Sequence, residues 1–453
     1  MVFSSILFLL YFLPIFMLVY FLSPKKIKNI VILLGSIFFY AWGAPKFIFV
    51  ILGTTLLDFY LVKWMDRSTN DNRRKLMLLL SLTVNLGLLF YFKYSNFFIE
   101  NVNALLSVFG SKQIHWTKLI LPIGISFYTF ETITYVVDVY RRTHKPLTNF
   151  WDYQLYIILF PKLIAGPIIR YHDLADQIVD RRNVVDDKLT GFYRFALGLG
   201  KKVLIANQIG IVADDIFGRN YLELDTMTAW VGSLAYTFQI YFDFSGYSDM
   251  AIGLAKMMGF KFPENFNNPY ISQSITEFWR RWHMTLGAWM KNYLYIPLGG
   301  NKVGPARLYF NLWIVFLASG LWHGASWSFI FWGAFHGFFL VIERAGFGKV
   351  LEKIGKVPAI IITFLIANFA WVFFRVEKIS DAFVYIKRMF SFKFNPAVSF
   401  NHEFLTYLFI AVFFSFFAVS TVTQKIQNKV YFDEYSNSRH LLFVPIALLL
   451  FIL

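Results

Sequence analysis

Two histidines are the residues most suited to chemistry in this otherwise apolar sequence. His323 follows Trp322 within Ser319–Ser326, a stretch that contains glycine and has apolar residues on both sides. Burial disfavours a charged imidazolium, so His323 is predicted to be neutral and able to act as a general base. The alternative is a ring that only hydrogen-bonds a carbonyl of a broken helix. His336 is predicted to make a structural hydrogen bond, with a supporting role at the site as the alternative.

A second cluster combines cations, indoles and a histidine in consecutive positions. Its residues are Trp279, Arg280, Arg281, Trp282 and His283. Guanidinium groups bind phosphates through paired hydrogen bonds, so the arginines and tryptophans are predicted to bind a phosphorylated cosubstrate. His283 is a candidate base, acid or orienting group. The alternative is an interfacial anchor in which arginines meet lipid headgroups and tryptophans lie at the membrane surface.

Other polar residues have less specific patterns. Asp243 is a candidate for orienting a histidine or neutralising an arginine, and Asn292 is a possible supporting residue. Asp249 is predicted to form a structural ion pair, and Asn265–Asn268 a satisfied turn. Three further acidic residues are predicted to lie near loops or to be paired, namely Asp58, Glu131 and Asp138.

The composition indicates a polytopic membrane protein. Of the 453 residues, 57% are hydrophobic and only 15% are charged, whereas soluble domains contain about 45–50% and about 25%. The net charge of +16 comes from basic residues in short loops, which indicates membrane topology and no nucleic-acid partner. No cysteine is present, which excludes disulfides, thiolate metal sites and a cysteinyl intermediate. No metal site and no permanently bound cofactor are expected.

Apolar windows and basic loops predict the topology of an all-α membrane protein. About eleven spans of about 20 residues are expected; the simplest are Met1–Pro24, Asn29–Pro45, Phe47–Val62, Leu76–Phe92, Leu119–Val137, Val357–Phe374 and Phe404–Gln424, with a short final run from His440. In the first 145 residues, alternate loops carry eleven basic residues against four in the intervening loops. This asymmetry places the N-terminus outside.

Less regular segments are predicted from residue 146 onward. Tyr153–Ile169 is interrupted by prolines and favours a re-entrant segment, Thr226–Lys256 is a long helix, and Thr276–Gly299 is an amphipathic helix. Residues 308–342 carry no formal charge over 35 positions. A single helix of that length would extend about 52 Å, against a hydrocarbon core of about 30 Å. The helix is therefore predicted to bend, break or tilt strongly, and the break is expected within Ser319–Ser326.

With these residues in view, the sequence resembles the membrane-bound O-acyltransferase family, in the branch that acetylates polysaccharides. The resemblance is carried, in order along the chain, by Met1–Ser5, Leu121–Tyr128, Leu163–Pro167, Tyr241–Gly253, Pro269–His283, Tyr293–Ile296, Leu298–Asn301 and Gly320–Ala325. One position departs from the family pattern, because Asn292 stands where an acidic residue precedes the Tyr-Leu-Tyr-Ile run.

The resemblance implies a fold and an activity. The fold is a ring of helices with a central tunnel, in a single domain of residues 1–453 (N-terminal spans 1–145, catalytic core 146–345, C-terminal spans 346–453). His323 matches the family's signature histidine and His283 its second active-site histidine. The implied activity is acetyl transfer from cytoplasmic acetyl-CoA to an extracytoplasmic, alginate-like polysaccharide, directly or through a secreted acetyltransferase partner. The implied location is the bacterial inner membrane, among membrane lipids.

Other acceptors and other classes of function also fit these features. Peptidoglycan or cellulose are alternative acceptors for the same chemistry. A transporter or flippase would also have broken helices and buried carboxylates, although no matching half-repeats are visible and the histidine pair would have no role. A scaffold that recruits a soluble acetyltransferase is the third possibility.

Overall fold

The computed structural model describes residues 1–181, 184–394 and 400–431, and all regular structure in them is helical. The first nine helices are α1 (Leu13–Leu22), α2 (Lys28–Gly43), α3 (Ile48–Arg67), α4 (Asp71–Leu89), α5 (Ser95–Val108), α6 (Ile125–Tyr140), α7 (Phe150–Ile158), α8 (Phe160–Leu163) and α9 (Tyr171–Val179). The next seven are α10 (Val185–Gly200), α11 (Asn207–Phe217), α12 (Thr226–Met257), α13 (Ile275–Arg281), α14 (Met284–Trp289), α15 (Pro305–His323) and α16 (Trp327–Ile342). The last five are α17 (Gly348–Ile354), α18 (Lys356–Arg375), α19 (Ile379–Met389), α20 (His402–Phe416) and α21 (Thr421–Tyr431).

Short helical stretches of other types join several of these helices. π-Helical turns occur at Leu7–Phe12, Phe90–Tyr94, Lys201–Ala206, Met290–Tyr295 and Glu343–Phe347. 3₁₀ turns occur at Lys25–Ile27, Tyr221–Glu223, Pro269–Ile271 and Phe417–Val419.

Six helical segments in the described part of the chain are long and apolar enough to cross a membrane. They are Lys25–Gly43, Ile48–Arg67, Asp71–Val108, Val185–Phe217, Lys356–Arg375 and His402–Val419. The all-α membrane class is thereby confirmed, whereas the count of about eleven spans and the ring with a central tunnel stay predictions. The final run from His440 lies outside the described residues.

One predicted span begins later than expected. The sequence indicates a helix over Leu119–Val137, but α6 starts only at Ile125. Pro122 has no N–H to donate, and Gly124 adopts a left-handed backbone with φ of 77°, so the chain turns before the helix begins. The long helix expected at Thr226–Lys256 is confirmed as α12.

The chain divides into two compact units. The first contains Met1–Lys188 and Leu254–Pro263, and the second contains Leu189–Gly253 and Glu264–Leu453. In the first unit, each of the three acidic residues expected to be paired has a partner: Asp58 with Asn85 (2.8 Å), Glu131 with Lys162, and Asp138 with His172 (2.7 Å). All the candidate site residues belong to the second unit.

The second unit has a core rich in aromatic side chains. Trp332 of α16 and Trp371 of α18 are fully buried, and Trp282 packs against Trp371 with ring centroids 4.7 Å apart. Buried aromatic pairs contribute about 0.5–1.5 kcal/mol beyond the area that they bury. This core therefore supports the segments on either side of it.

Glycines allow α15 and α16 to pack with their backbones in contact. A Cβ atom at Gly320 would lie 2.3 Å from the carbonyl oxygen of Phe329, and one at Gly333 would lie 2.3 Å from that of Phe316. No side chain can occupy either position without a shift of backbone. The pair of glycines therefore fixes how closely the two helices approach.

Candidate active site

His323 is the last residue of α15. The chain leaves the helix at Gly324, whose N–H donates to Gly320 O at 3.2 Å. Ser326 then caps α16, because its hydroxyl oxygen accepts a hydrogen bond from Phe329 N at 3.4 Å. The helix break predicted within Ser319–Ser326 is thus confirmed, and it places His323 at the tip of a helical hairpin.

Aromatic rings surround His323. Its ring centroid lies 4.9 Å from that of Trp322, 5.1 Å from that of Trp332 and 5.0 Å from that of Phe374. All three contacts have the edge-to-face geometry that aromatic rings prefer. The imidazole is therefore held in a defined orientation while it stays partly exposed.

The segment that contains the second cluster forms two short helices, α13 and α14, and not the single helix predicted over Thr276–Gly299. The break lies at Trp282 and His283, between α13 and α14. His283 has a left-handed backbone with φ of 44° and ψ of 53°, which is uncommon for a residue with a side chain. A residue in this conformation ends α13 and redirects the chain into α14.

The N-terminus of α13 is fixed by two carboxylates. Ser274 and Glu277 form a capping box, with Glu277 N donating to Ser274 Oγ at 3.0 Å and Gln273 N donating to Glu277 Oε2 at 2.8 Å. Glu343 accepts hydrogen bonds from the N–H groups of Ile275 at 2.5 Å and Thr276 at 2.9 Å. These contacts satisfy the free donors of the first turn and complement the helix dipole.

The side chain of His283 is buried and has one hydrogen-bond partner among the described residues. Its Nδ1 lies 3.0 Å from Asn265 Oδ1, and the edge of its ring contacts Phe244 at a centroid distance of 4.7 Å. Burial lowers the pKa of His283 to about 3, so the imidazole is neutral. In the part of the chain that the structure describes, its Nε2 makes no hydrogen bond.

Trp322 brings the two histidines of the site together. The ring centroid of Trp322 lies 6.0 Å from that of His283 and 4.9 Å from that of His323. Two residues 40 positions apart in sequence are therefore separated by a single indole. The predicted association of His283 with His323 is present in the second unit.

A cavity of about 1030 Å³ adjoins this group. Its walls come from α13 to α15 and the segment after α16, and His283 is one of the lining residues. Arg280 and Lys291 also line it, and neither forms a hydrogen bond or ion pair with another described residue. Arg344, a third lining cation, donates to Asn301 Oδ1 at 3.3 Å.

Three carboxylates, Glu277, Glu343 and Glu352, line the cavity as well, and the first two already accept hydrogen bonds from Arg281 and from the start of α13. The cavity therefore offers Arg280 and Lys291, two cations without a partner among the described residues, beside a neutral histidine.

The two arginines of the cluster have different surroundings. Arg281 forms an ion pair with Glu277 at 2.8 Å and donates to Asn267 O at 3.2 Å. Its guanidinium is thus used within the fold, and it is not among the residues that line the cavity. Arg280 is the arginine of this cluster that faces the cavity.

The tryptophans of the cluster also differ. Trp279 lines the cavity and contacts Trp332 and His336 at centroid distances of 5.5 Å and 4.9 Å. Trp282 is buried in the aromatic core. His336 is fully buried by aromatic rings, and within the described residues neither of its ring nitrogens makes the structural hydrogen bond that the sequence predicts.

The remaining candidates have structural contacts. Within the described residues, Asp243 pairs with Lys202 and with no histidine or arginine. Asp249 forms the expected ion pair, with Arg194 at 2.7 Å. Asn292 donates to Ala288 O at 2.8 Å within its own helical turn.

Sequence reasoning missed three residues of this site. They are Asn265, which contacts His283, Lys291 in the cavity wall and Glu343 at the start of α13. The Ser-x-x-Glu spacing at Ser274 and Glu277 is a capping signal that predicts where α13 begins. Nothing in the local sequence indicates that Glu343 lies at that same helix end, because the contact joins residues 68 positions apart.

Comparison with known proteins shows the family of the chain. Residues 72–376 match the membrane-bound O-acyltransferase family. The chain is 45% identical over 393 residues to a probable alginate O-acetylase, AlgI, of Pseudomonas aeruginosa, covering 86% of this chain and 75% of the relative. The corresponding protein of Pseudomonas putida is 46% identical over 394 residues, covering 86% and 81%. A peptidoglycan O-acetyltransferase of Helicobacter pylori is 37% identical over 425 residues, covering 86% and 80%.

The matched residues include α12 to α18 and therefore both histidines, the α15–α16 hairpin and the cavity. The apolar helices and this match define a membrane-embedded acyltransferase. The chain belongs to the membrane-bound O-acyltransferase family.

Proposed function

We propose that this protein is a membrane O-acetyltransferase that passes acetyl groups from cytoplasmic acetyl-CoA toward hydroxyl groups of an extracytoplasmic polysaccharide. The observation that carries the proposal is the grouping of His283, Trp322 and His323, in which His283 lines a cavity whose cations Arg280 and Lys291 have no partner among the described residues. Acyl transfer from a thioester to a hydroxyl needs a base for the hydroxyl proton and a site for the donor's phosphates. The grouping supplies both.

His323 is the proposed base. In its neutral form, the ring of His323 accepts the proton of the attacking hydroxyl while the hydroxyl oxygen bonds to the acetyl carbonyl carbon. As the carbon–sulfur bond breaks, the same proton passes from His323 to the leaving sulfur. A second route, in which a His323 nitrogen accepts the acetyl group and then passes it to the hydroxyl, needs the same neutral ring. His283 orients the acceptor or completes the proton path.

Arg280 and Lys291 are the residues proposed to bind the phosphates of acetyl-CoA. Their cationic groups line the cavity without a carboxylate partner among the described residues, so they would not have to break an ion pair on binding. Trp279, in the same wall, offers an indole surface to the donor. Trp282 and Arg281, which the sequence also indicated, would act by holding α13 in place.

The names of the relatives support the acceptor class. Proteins similar to this chain are named as an alginate O-acetylase and a peptidoglycan O-acetyltransferase, so an alginate-like exopolysaccharide is the first proposed acceptor and peptidoglycan the second. The acetyl group would reach the glycan directly or through a secreted acetyltransferase partner. The basic loops support an inner-membrane location with the N-terminus outside.

The proposal is tested with the purified protein in lipid vesicles. Release of free CoA from acetyl-CoA is measured with and without uronate oligosaccharides and peptidoglycan fragments as acceptors. We expect acceptor-dependent CoA release together with acetyl groups on the oligosaccharide. Ion-coupled uptake of the oligosaccharide without CoA release would instead show a transporter.

Replacing Arg280 by glutamine is expected to raise the KM for acetyl-CoA about tenfold with little change in kcat, since a hydrogen bond to a charged group contributes roughly 1.5–3 kcal/mol. Acetyl-pantetheine has no nucleotide phosphates, and its KM is expected to be the same in both proteins. Arg281→Gln is the matched control, because it breaks the ion pair with Glu277 and is expected to lower stability more than it raises KM. A larger KM effect from Arg281→Gln would assign phosphate binding to Arg281.

A further inference from the structure

Asn265 connects the loop before α13 to the turn that contains His283. It is buried, with 1% of its surface exposed, and its backbone carbonyl oxygen accepts a hydrogen bond from Met284 N at 2.9 Å. Two residues further on, Asn267 N donates to Arg281 O at 2.9 Å. The loop and the turn are thus held side by side by backbone hydrogen bonds, and the side chain of Asn265 lies between them.

The hydrogen bonds of Asn265 fix which end of its amide faces His283. The backbone N–H of Thr285 can only donate, and it lies 3.3 Å from the same amide atom that faces the His283 ring. That atom must therefore be the oxygen, Oδ1. The hydroxyl of Thr285 also donates to Oδ1, at 2.8 Å, and Asn265 Nδ2 donates to Ser248 Oγ at 3.0 Å.

This arrangement determines the tautomer of His283. Because Oδ1 can only accept, the Nδ1 atom 3.0 Å away must carry a hydrogen and donate it. The ring is neutral, since burial lowers the pKa of His283 to about 3, so the remaining nitrogen, Nε2, carries a lone pair and no hydrogen. The uncommon backbone conformation of His283 and the edge of its ring against Phe244 hold that lone pair in one direction.

We propose that Asn265 is a positioning residue that keeps His283 in the Nδ1–H tautomer, so that Nε2 accepts a hydrogen bond from a second hydroxyl of the acceptor sugar, next to the one that is acetylated. This role rests on the proposed acetyl transfer. It assigns the two histidines different tasks: His283 orients the acceptor sugar by accepting a hydrogen bond from the second hydroxyl, and His323 removes the proton of the hydroxyl that is acetylated. A neutral His283 in the other tautomer would present an N–H at Nε2 and could not accept this hydrogen bond.

Arg280 and Lys291 line the same cavity as His283 without a partner among the described residues, and their positive charge favours the neutral ring, whereas the other charged groups near His283 are already paired. Those on the neighbouring segments are Asp243 with Lys202, Asp249 with Arg194 and Lys201, and Glu264 with Arg194. Burial is the main cause that lowers the pKa of His283.

The tautomer is measured directly by ¹⁵N NMR on histidine-labelled full-length protein in vesicles, with His283→Gln identifying the His283 signals. We expect a neutral ring with hydrogen on Nδ1 in the wild type, and a mixture of tautomers in Asn265→Leu. In Asn265→Asp, the carboxylate would favour the imidazolium and raise the pKa of His283 by about 1–3 units. A wild-type ring with hydrogen on Nε2 would overturn the proposal.

Activity assays then separate positioning from stability. Asn265→Leu is expected to lower kcat about 10–100-fold, the usual effect of losing an orienting partner, with the KM for acetyl-CoA unchanged. Asn265→Asp retains an oxygen that accepts the hydrogen bond, and it is expected to recover most of this loss of kcat at high pH. The pH below which its kcat falls is expected to be higher than in the wild type. Thr285→Val removes another donor to the same oxygen and controls for local packing.

Three results would contradict the role of Asn265. The first is a loss of kcat in Thr285→Val as large as that in Asn265→Leu. The second is no recovery of kcat in Asn265→Asp at high pH. The third is that Asn265→Leu lowers kcat as much in a His283→Ala background as it does in the wild type. A wild type that does not release CoA would refute the proposed acetyl transfer and the hydroxyl-binding role with it. The NMR result would still decide whether Asn265 fixes the tautomer, so the two failures are distinguishable.

Discussion

Replacing His323 by alanine is expected to reduce acetyl transfer by about 10²–10⁴-fold, the range that a positioned general base contributes. His323 ends α15 with its ring held edge-to-face by Trp322, Trp332 and Phe374. Alanine at this position removes the ring nitrogens and leaves the hairpin backbone in place. The measurements are CoA release by the purified protein and O-acetyl content of glycan in cells with equal membrane levels of each variant.

The matched control for this change is His402→Ala. His402 is an exposed histidine at the first position of α20, so the same substitution there is expected to leave both measurements unchanged. If His323→Ala retains acetyl transfer, His323 has a structural role. The protein would then be better explained as a transporter or as a scaffold that recruits a soluble acetyltransferase. Loss of glycan acetylation with CoA release retained would indicate that the variant still handles the donor but fails to deliver the acetyl group.

Much of this site follows from local sequence features. The uncharged run at residues 308–342 is longer than a membrane-spanning helix, so a bend, a break or a strong tilt was required, and Gly320 and Gly324 lie where the break occurs. His323 could therefore be predicted at the end of a helix. The capping box at Ser274 and Glu277 similarly predicts where α13 begins.

Other features depend on contacts that the local sequence does not contain. The sequence Trp279–His283 suits one continuous amphipathic helix, and only the left-handed backbone of His283 separates α13 from α14. That conformation is stabilised by Asn265, which is 18 residues away and whose own sequence predicts a turn. Arg280 and Arg281 are chemically identical neighbours, and the Glu277 carboxylate one turn before Arg281 distinguishes them.

Replacing Gly333 by alanine is expected to cost stability and to lower activity about 100-fold, although alanine is the better helix former by about 1 kcal/mol. The added methyl would lie 2.3 Å from Phe316 O in α15, a backbone atom that can move only with its helix. Overpacking of this kind costs about 1–3 kcal/mol. Moving α15 also displaces His323, and a shift of about 1 Å in a catalytic group costs roughly 10²-fold in rate.

Gly337→Ala is a matched control on the same helix, one turn after Gly333. A Cβ at Gly337 would lie 3.5 Å from the nearest atom, a side-chain carbon of Phe316, which is an ordinary contact. The same substitution is thus expected to be neutral or slightly stabilising there. The two variants are compared by thermal unfolding in detergent and by CoA release.

The comparison tests whether the hairpin positions His323. If Gly333→Ala lowers the melting temperature but the folded fraction keeps its kcat, the glycines serve stability alone and His323 tolerates a shift of α15. If both variants behave alike, close packing of α15 against α16 has no functional role. We expect the third outcome, in which Gly333→Ala lowers kcat in fully folded protein, because the residue that ends α15 carries the proton in the proposed reaction.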